Sequence, residues 1–286
     1  MPWIFDALST AFFVRAMLGG TIVAAICGIV GTWVVIRGMA FLGEAIGHGM
    51  LPGVAIATLT GIPPILGGAL SAATMSALIA ALQRRGKLSY DTSIGLLFVA
   101  MLATGVIIVS HSGSFATDTT ALLFGDILAI SRAEITLIGW AAAVTIGLAA
   151  VFHRSFIALA FDHRIAHTLG YRPRLAQTAL VGLVTLAVVA SAQAVGTLLV
   201  VALLLGPAVA AQPWSRRIPG RMLLAAALGT LAVLTGLAIS WSAGTAAGST
   251  IAASAVATAG LSHLCRSALA RRQRHSNLNP NTEGTP

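Results

Sequence analysis

The stretch FLGEAIGHGMLPGVAIA, residues 41–57, sets Glu44 and His48 one helical turn apart in a run otherwise fit for lipid. Residues four apart share a helix face. An ionisable group inside a bilayer is costly, so it faces the bundle interior or a wet cavity and takes a partner. A carboxylate and a neutral imidazole at this spacing reach one divalent cation, and such oxygen and nitrogen donors suit zinc and other first-row metals. A second reading stands beside the first. Gly43 with Gly47 and Gly49 with Gly53 make two G-x-x-x-G pairs, and Pro52 kinks a helix. On that pattern the segment is a close-packed central helix whose Glu44 and His48 simply bond each other. Both readings require a helix inside a membrane.

The rest of the chain supplies that membrane context. Of 286 residues 57% are hydrophobic and 9% charged, and the mean hydropathy is +0.92. A soluble domain is about 25% charged. Uncharged stretches cover residues 16–36, 92–110, 135–152, 175–215 and 222–264. A span takes about 20 residues, so the expected fold is all-α, a polytopic bundle of about nine spans, with eight as the alternative. Breaks are expected at residues 61–64, 191–194 and 240–248. Lys and Arg near span ends stay cytoplasmic. With the N-terminus outside, only Arg15 and Arg132 of the 17 Lys+Arg fall on the outer side. The net charge of +9 therefore reads as topology, not as binding to nucleic acid.

The opening MPWIFD has no basic n-region, and the apolar run after it is too long for a cleaved signal, so the first span is expected to be retained. Cys27 lies mid-span and Cys265 at the inner end of the last span, depths that exclude a disulfide framework. Residues 1–265 read as the membrane domain. Residues 266–286 turn basic and then Asn/Pro-rich, the composition of a disordered cytoplasmic tail.

Two segments do not belong in lipid. In FDHRIAHTLGYRPR, residues 161–174, Asp162 stands as a cap, Gly170 as a stop, and Pro173 prevents continuation. Ile165, Ala166 and Leu169 form an apolar face among Arg164, Arg172 and Arg174. This reads as a short cytoplasmic amphipathic helix, either a docking element for a soluble partner or a connector lying on the headgroups. The outer segment HSGSFATDTTALLFGDILAIS, residues 111–131, is rich in Ser, Thr, Gly and Asp around an apolar piece at 121–124. It is either a partly inserted helix at the outer mouth or a loop folded over helix ends. His111, Asp118 and Asp126 are its candidates for attracting a cation.

Catalytic patterns are missing from the sequence: no Cys-x-x-Cys, no His-Glu-x-x-His, no Gly-x-Ser-x-Gly elbow. The only lysine, Lys87 in RRGKLSYD, lacks the Walker context, because Ala81 replaces its first Gly and Leu88 its Ser or Thr. An ATP-driven process would thus need a separate ATPase, and the subunit itself is read as no enzyme. A secondary metal/proton carrier, the alternative, would have Glu44 as its only strong intramembrane carboxylate. A membrane scaffold without transport is more distant.

The blocks VVIRGMAFLGEAIGHGMLPGVAIA (34–57), ALLFGDILAIS (121–131), ALAFDHRIAHTLGYRP (158–173) and VVASAQAVGTLLVVALLLGPAVAA (188–211) resemble, in order, the family-3 permease subunits of bacterial ABC importers for zinc, manganese and iron(II). The resemblance covers residues 15–263, and its zinc branch is the most similar. It implies a vitamin-B12-permease-like helical fold in the bacterial inner (plasma) membrane and a homodimer of permeases. It further implies an ABC ATPase below, a metal-binding solute-binding protein outside, and zinc (or manganese) as the transported ion with no permanently bound cofactor. By position, Glu44 stands where the family has Asp and His48 where it has His, the pair lining the path. Residues 162–170 match its coupling helix, and Gly206-Pro207 the apolar helix after it. Gly43 and Gly47 replace common serines, and Gly244 replaces a common Asp.

Overall fold

The computed structural model describes residues 9–85, 89–111, 125–161 and 172–277. In chain order the helices are α1 (Ala11–Ile36), α2 (Ala40–Gly49), α3 (Leu51–Thr60), α4 (Pro64–Arg85), α5 (Tyr90–His111), α6 (Arg132–Val151), α7 (His153–Phe161), α8 (Pro173–Val195), α9 (Thr197–Ala211), α10 (Ile218–Ala243) and α11 (Ala247–Asn277). A 3-10 turn, Ile127–Ala129, precedes α6. Among the described residues there is no strand.

Among the described residues, length and apolarity qualify 7 helices to cross a membrane, with α2 and α3 acting as one span, Ala40–Thr60. Of the remaining expected spans, α9 has only 15 residues. The last, α11, has 31 but dilutes its apolar residues with Ser, Thr, Gly and a basic end. The chain is a multi-pass membrane protein.

The helix breaks follow local chemistry. Gly61 ends α3 in the left-handed region at φ 73°, and Gly244 ends α10 at φ 63°, both where breaks are expected. Any residue with a Cβ is strained there. The break expected at 191–194 falls instead at Gly196, φ 80°. Ser191 to Ala194 all fit a helix, so α8 continues to Val195, and Gly196, in an extended positive-φ conformation, ends it. Pro52 lacks the N–H that would reach the carbonyl of His48, and the span divides into α2 and α3 at Met50. Helix α11 runs through Arg266 to Asn277, so the first part of the tail read as disordered is helical; residues 278–286 lie outside the described residues.

Glycines let the helices approach. Lipid tails are as apolar as Leu, so helices in a bilayer associate through tight packing rather than through escape from water. A Cβ on Gly31 of α1 would overlap the carbonyl oxygen of Leu204 in α9, and one on Gly28 would stand 2.5 Å from the backbone nitrogen of Ala226 in α10. Gly53 and Gly67 bring α3 and α4 together in the same way. Several hydroxyls inside the bundle are satisfied within or between helices: Thr32 donates to the Gly28 carbonyl at 2.7 Å, Ser71 to that of Gly49 at 2.7 Å, and Ser76 bonds Thr185 at 2.6 Å.

Chain direction gathers the cations. The turn after α1, the end of α4 and the starts of α5 and α8 meet at one end of the bundle, where Arg37 donates to the Leu159 carbonyl at 2.7 Å and to Gln177 Oε1 at 3.0 Å. Arg84 and Arg174 stand beside it.

Gly31→Val tests the packing. The added atoms meet backbone, so α1 and α9 must separate, and overpacking of this kind costs about 1–3 kcal/mol or more. Fluorescence size-exclusion after detergent extraction should show loss of the monodisperse peak. Gly139→Ala, where nothing lies within 4 Å of the new Cβ, should match the parent. A normal peak for Gly31→Val contradicts the packing.

Candidate functional site

Helix α2 is seated against α9 and α4 by way of its glycines. A Cβ on Gly43 would stand 2.9 Å from Leu204 Cδ2 of α9, one on Gly47 would stand 3.2 Å from Thr197 Cβ, and one on Gly49 would collide with Met75 of α4. The remaining face carries Phe41, Glu44 and His48. Glu44 Oε1 and His48 Nε2 are 2.9 Å apart, and their side chains are 25% and 17% exposed. They are neither sealed in the core nor out on the surface.

Phe98 of α5 walls this face. Its ring lies edge-on to His48 at 5.6 Å and to Phe41 at 5.3 Å. An ionised carboxylate only accepts, so the imidazole donates from Nε2 in this contact and its Nδ1 lone pair stays available. For Nε2 to ligate a cation beside Glu44, the neutral imidazole carries its proton on Nδ1 instead, the other tautomer. The pair offers one oxygen and one nitrogen ligand. Among the described residues no group of three or more His, Cys, Asp or Glu gathers anywhere, so the pair alone does not complete a metal's coordination shell.

Behind α2, Ser191 and Thr197 flank the Gly196 break with hydroxyls that are buried without a partner. Sequence reading does not single out Phe98, Ser191 or Thr197. An aromatic in an apolar span carries no pattern of its own, and the break that places Thr197 becomes visible only once Gly196 is known to end α8.

The outer candidates are placed differently. His111 is exposed at the end of α5. Asp118 lies outside the described residues. Asp126 accepts from Leu128 N at 3.2 Å, which makes it the cap of the 3-10 turn. Ile127 and Ile130 beside it are 1% and 2% exposed and press on Gly20 and Gly19 of α1, while Gly125 sits against Val195 and Gly196. This part of the outer segment is a loop folded over helix ends; the apolar piece 121–124 is outside the described residues.

The coupling candidates Asp162, Arg164, Ile165, Ala166, Leu169 and Gly170 also lie outside them. Their flanks are defined. Helix α7 ends at Phe161 and α8 begins at Pro173, and Arg37 ties the two together through Leu159 and Gln177. The segment therefore leaves and returns at the arginine-rich end. Gly206 and Pro207 pack α9 onto its neighbours: Gly206 faces the backbone of Ala255, and Pro207 Cγ lies 3.3 Å from the Cβ position of Gly229.

The profile of the ABC 3 transport family matches residues 9–266. The chain is 31% identical to the manganese transport system membrane protein MntC of Listeria innocua, over 84% of this chain and 86% of that one. It is 32% identical to the manganese import system permease protein ScaB of Streptococcus gordonii, over 92% and 93%. Among solved structures, a chain of PsaBC from Streptococcus pneumoniae in complex with Fab superposes with a TM-score of 0.80 at 29% identity, covering 91% of this chain and 94% of that one.

Proposed function

Since the chain belongs to the ABC 3 transport family, we propose that it is the permease of an importer that moves a divalent first-row metal, zinc in our reading, into a bacterial cytoplasm. The observation that carries the reading is the Glu44–His48 contact of 2.9 Å on the one face of α2 not closed by glycine packing. A structural zinc site is closed by four protein ligands. A transport site must let go, and a two-ligand site whose other positions are filled by water binds transiently. The family relationship supports a partner ATPase as the energy source over the secondary-carrier alternative.

Zinc rests on the imidazole donor, which suits zinc better than it suits harder cations. The second reading is the same path carrying manganese or iron(II), and the manganese names of the 31–32% identical relatives favour it. In either case the assembly comprises two permease copies, ATPases beneath the arginine-rich end, and a solute-binding protein at the opposite end. The charge bias supports that orientation. Residues 162–170 serve as the coupling helix, with Ile165, Ala166 and Leu169 in an ATPase groove.

His48→Ala tests the path. The variant removes one ligand from a partly exposed position and should insert normally. Cellular metal content under zinc and then manganese limitation should fall to that of a strain lacking the permease. Accumulation at the parental rate contradicts the reading, and whichever limitation exposes the defect names the ion. Ala166→Asp tests coupling separately. A charge forced into an apolar contact without a partner costs a few kcal/mol, roughly 2 to 7, so the ATPase should be lost on purification. A retained ATPase and coupled transport would reduce the segment to a connector.

A further inference from the structure

At the arginine-rich end, the α1–α2 turn and helices α4, α5 and α8 enclose a cavity of about 500 Å³. Arg37, Arg84, Tyr90, Asp91, Arg174 and Gln177 line it. A water's share of liquid volume is about 30 Å³, so the space admits a polyatomic group. Three guanidiniums face one carboxylate, and among the described residues none of the three is ion-paired.

The donors are already in position. Arg37 spends its terminal nitrogens on Leu159 and Gln177, while its Nε is buried without a partner. The buried Tyr90 hydroxyl lies beside Gln177 and Arg37 without a well-aligned hydrogen bond, and the Gln177 amide is taken up by Arg37 and by the Met39 sulfur at 3.6 Å. Buried donors are nearly always satisfied, so the unpaired Arg37 Nε, with the poorly aligned Tyr90 hydroxyl beside it, marks a missing acceptor. Burial also pulls the Arg37 guanidinium below its ordinary value, and a neighbouring anion would reverse that.

We propose that this cavity binds a phosphate group, carried by an anionic phospholipid headgroup or by free phosphate. Guanidinium forks match phosphate oxygens in geometry as well as charge. The cation excess repels a metal ion, so the cavity is distinct from the Glu44–His48 site. Basic pockets between membrane helices on the side rich in Lys and Arg meet anionic headgroups. A bound phosphate would clamp the turn leading into α2 to α4, α5 and α8.

The test is the thermal stability of the full-length permease in neutral detergent, with dioctanoyl phosphatidylglycerol, dioctanoyl phosphatidylcholine or inorganic phosphate added. Phosphatidylglycerol should raise Tm in a saturable way, and phosphatidylcholine should not. A rise with inorganic phosphate at similar concentrations assigns the site to the free anion; a rise with phosphatidylglycerol alone assigns it to the lipid. Arg84 and Arg174 are exposed, so R84Q/R174Q should fold, and it should need about tenfold more lipid for the same shift. Tyr90→Phe, which keeps the ring and removes only the hydroxyl, should weaken the response several-fold. The proposal is overturned if neither anion shifts Tm, if phosphatidylcholine matches phosphatidylglycerol, or if the variants respond like the parent. A shift with polyglutamate but with neither phosphate probe also overturns it, in favour of an acidic protein segment.

Discussion

A carboxylate and an imidazole can stay together within a bilayer only if the helix carrying them is fixed on its other sides. Here that constraint falls on α2. Gly43, Gly47 and Gly49 let α9 and α4 come within van der Waals reach of its backbone, and the face left over holds Glu44 and His48 in contact. The close packing read from the sequence and the Glu44–His48 contact are thus two faces of one helix; that the pair also ligates an ion is our proposal. Pro52 contributes by ending α2 directly below the pair, which leaves the His48 carbonyl without its usual helical donor.

The features that repeat in sequence were the legible ones. Uncharged stretches gave the spans, Gly61 and Gly244 the turns, and the bias of Lys and Arg one basic end. Less legible were features set by tertiary contact. The Gly196 break lies past the polar residues that seemed to mark it, because Ser191 and Gln193 are tolerated inside a helix. Phe98 joins the site from a helix distant in sequence, with nothing in its local pattern to announce it. The arginine-lined cavity assembles one residue or two from each of four places. Asp126, attractive as an outer acid, is occupied by its own turn.

The division between the two ends of the bundle has electrostatic logic. In our proposals the acid and imidazole on α2 draw a cation, and the basic end draws anions and a soluble ATPase. A metal ion released from α2 would not be retained by an arginine-rich exit, which favours escape to solvent. Zinc and manganese are separated by the geometry of the whole ligand shell, including waters and any second copy, rather than by two side chains.

The central claim is that Glu44 and His48 handle the transported ion. Its most direct measurement is ATP-driven uptake of divalent metal into proteoliposomes holding the permease, its ATPase and its solute-binding protein, comparing the parent with Glu44→Gln. The substitution keeps the shape and a hydrogen bond to His48 but removes the charge. Uptake should fall about tenfold or more, ~1.4 kcal/mol of barrier, with the complex intact and basal ATP hydrolysis retained. Uptake at the parental rate in that variant would contradict the account.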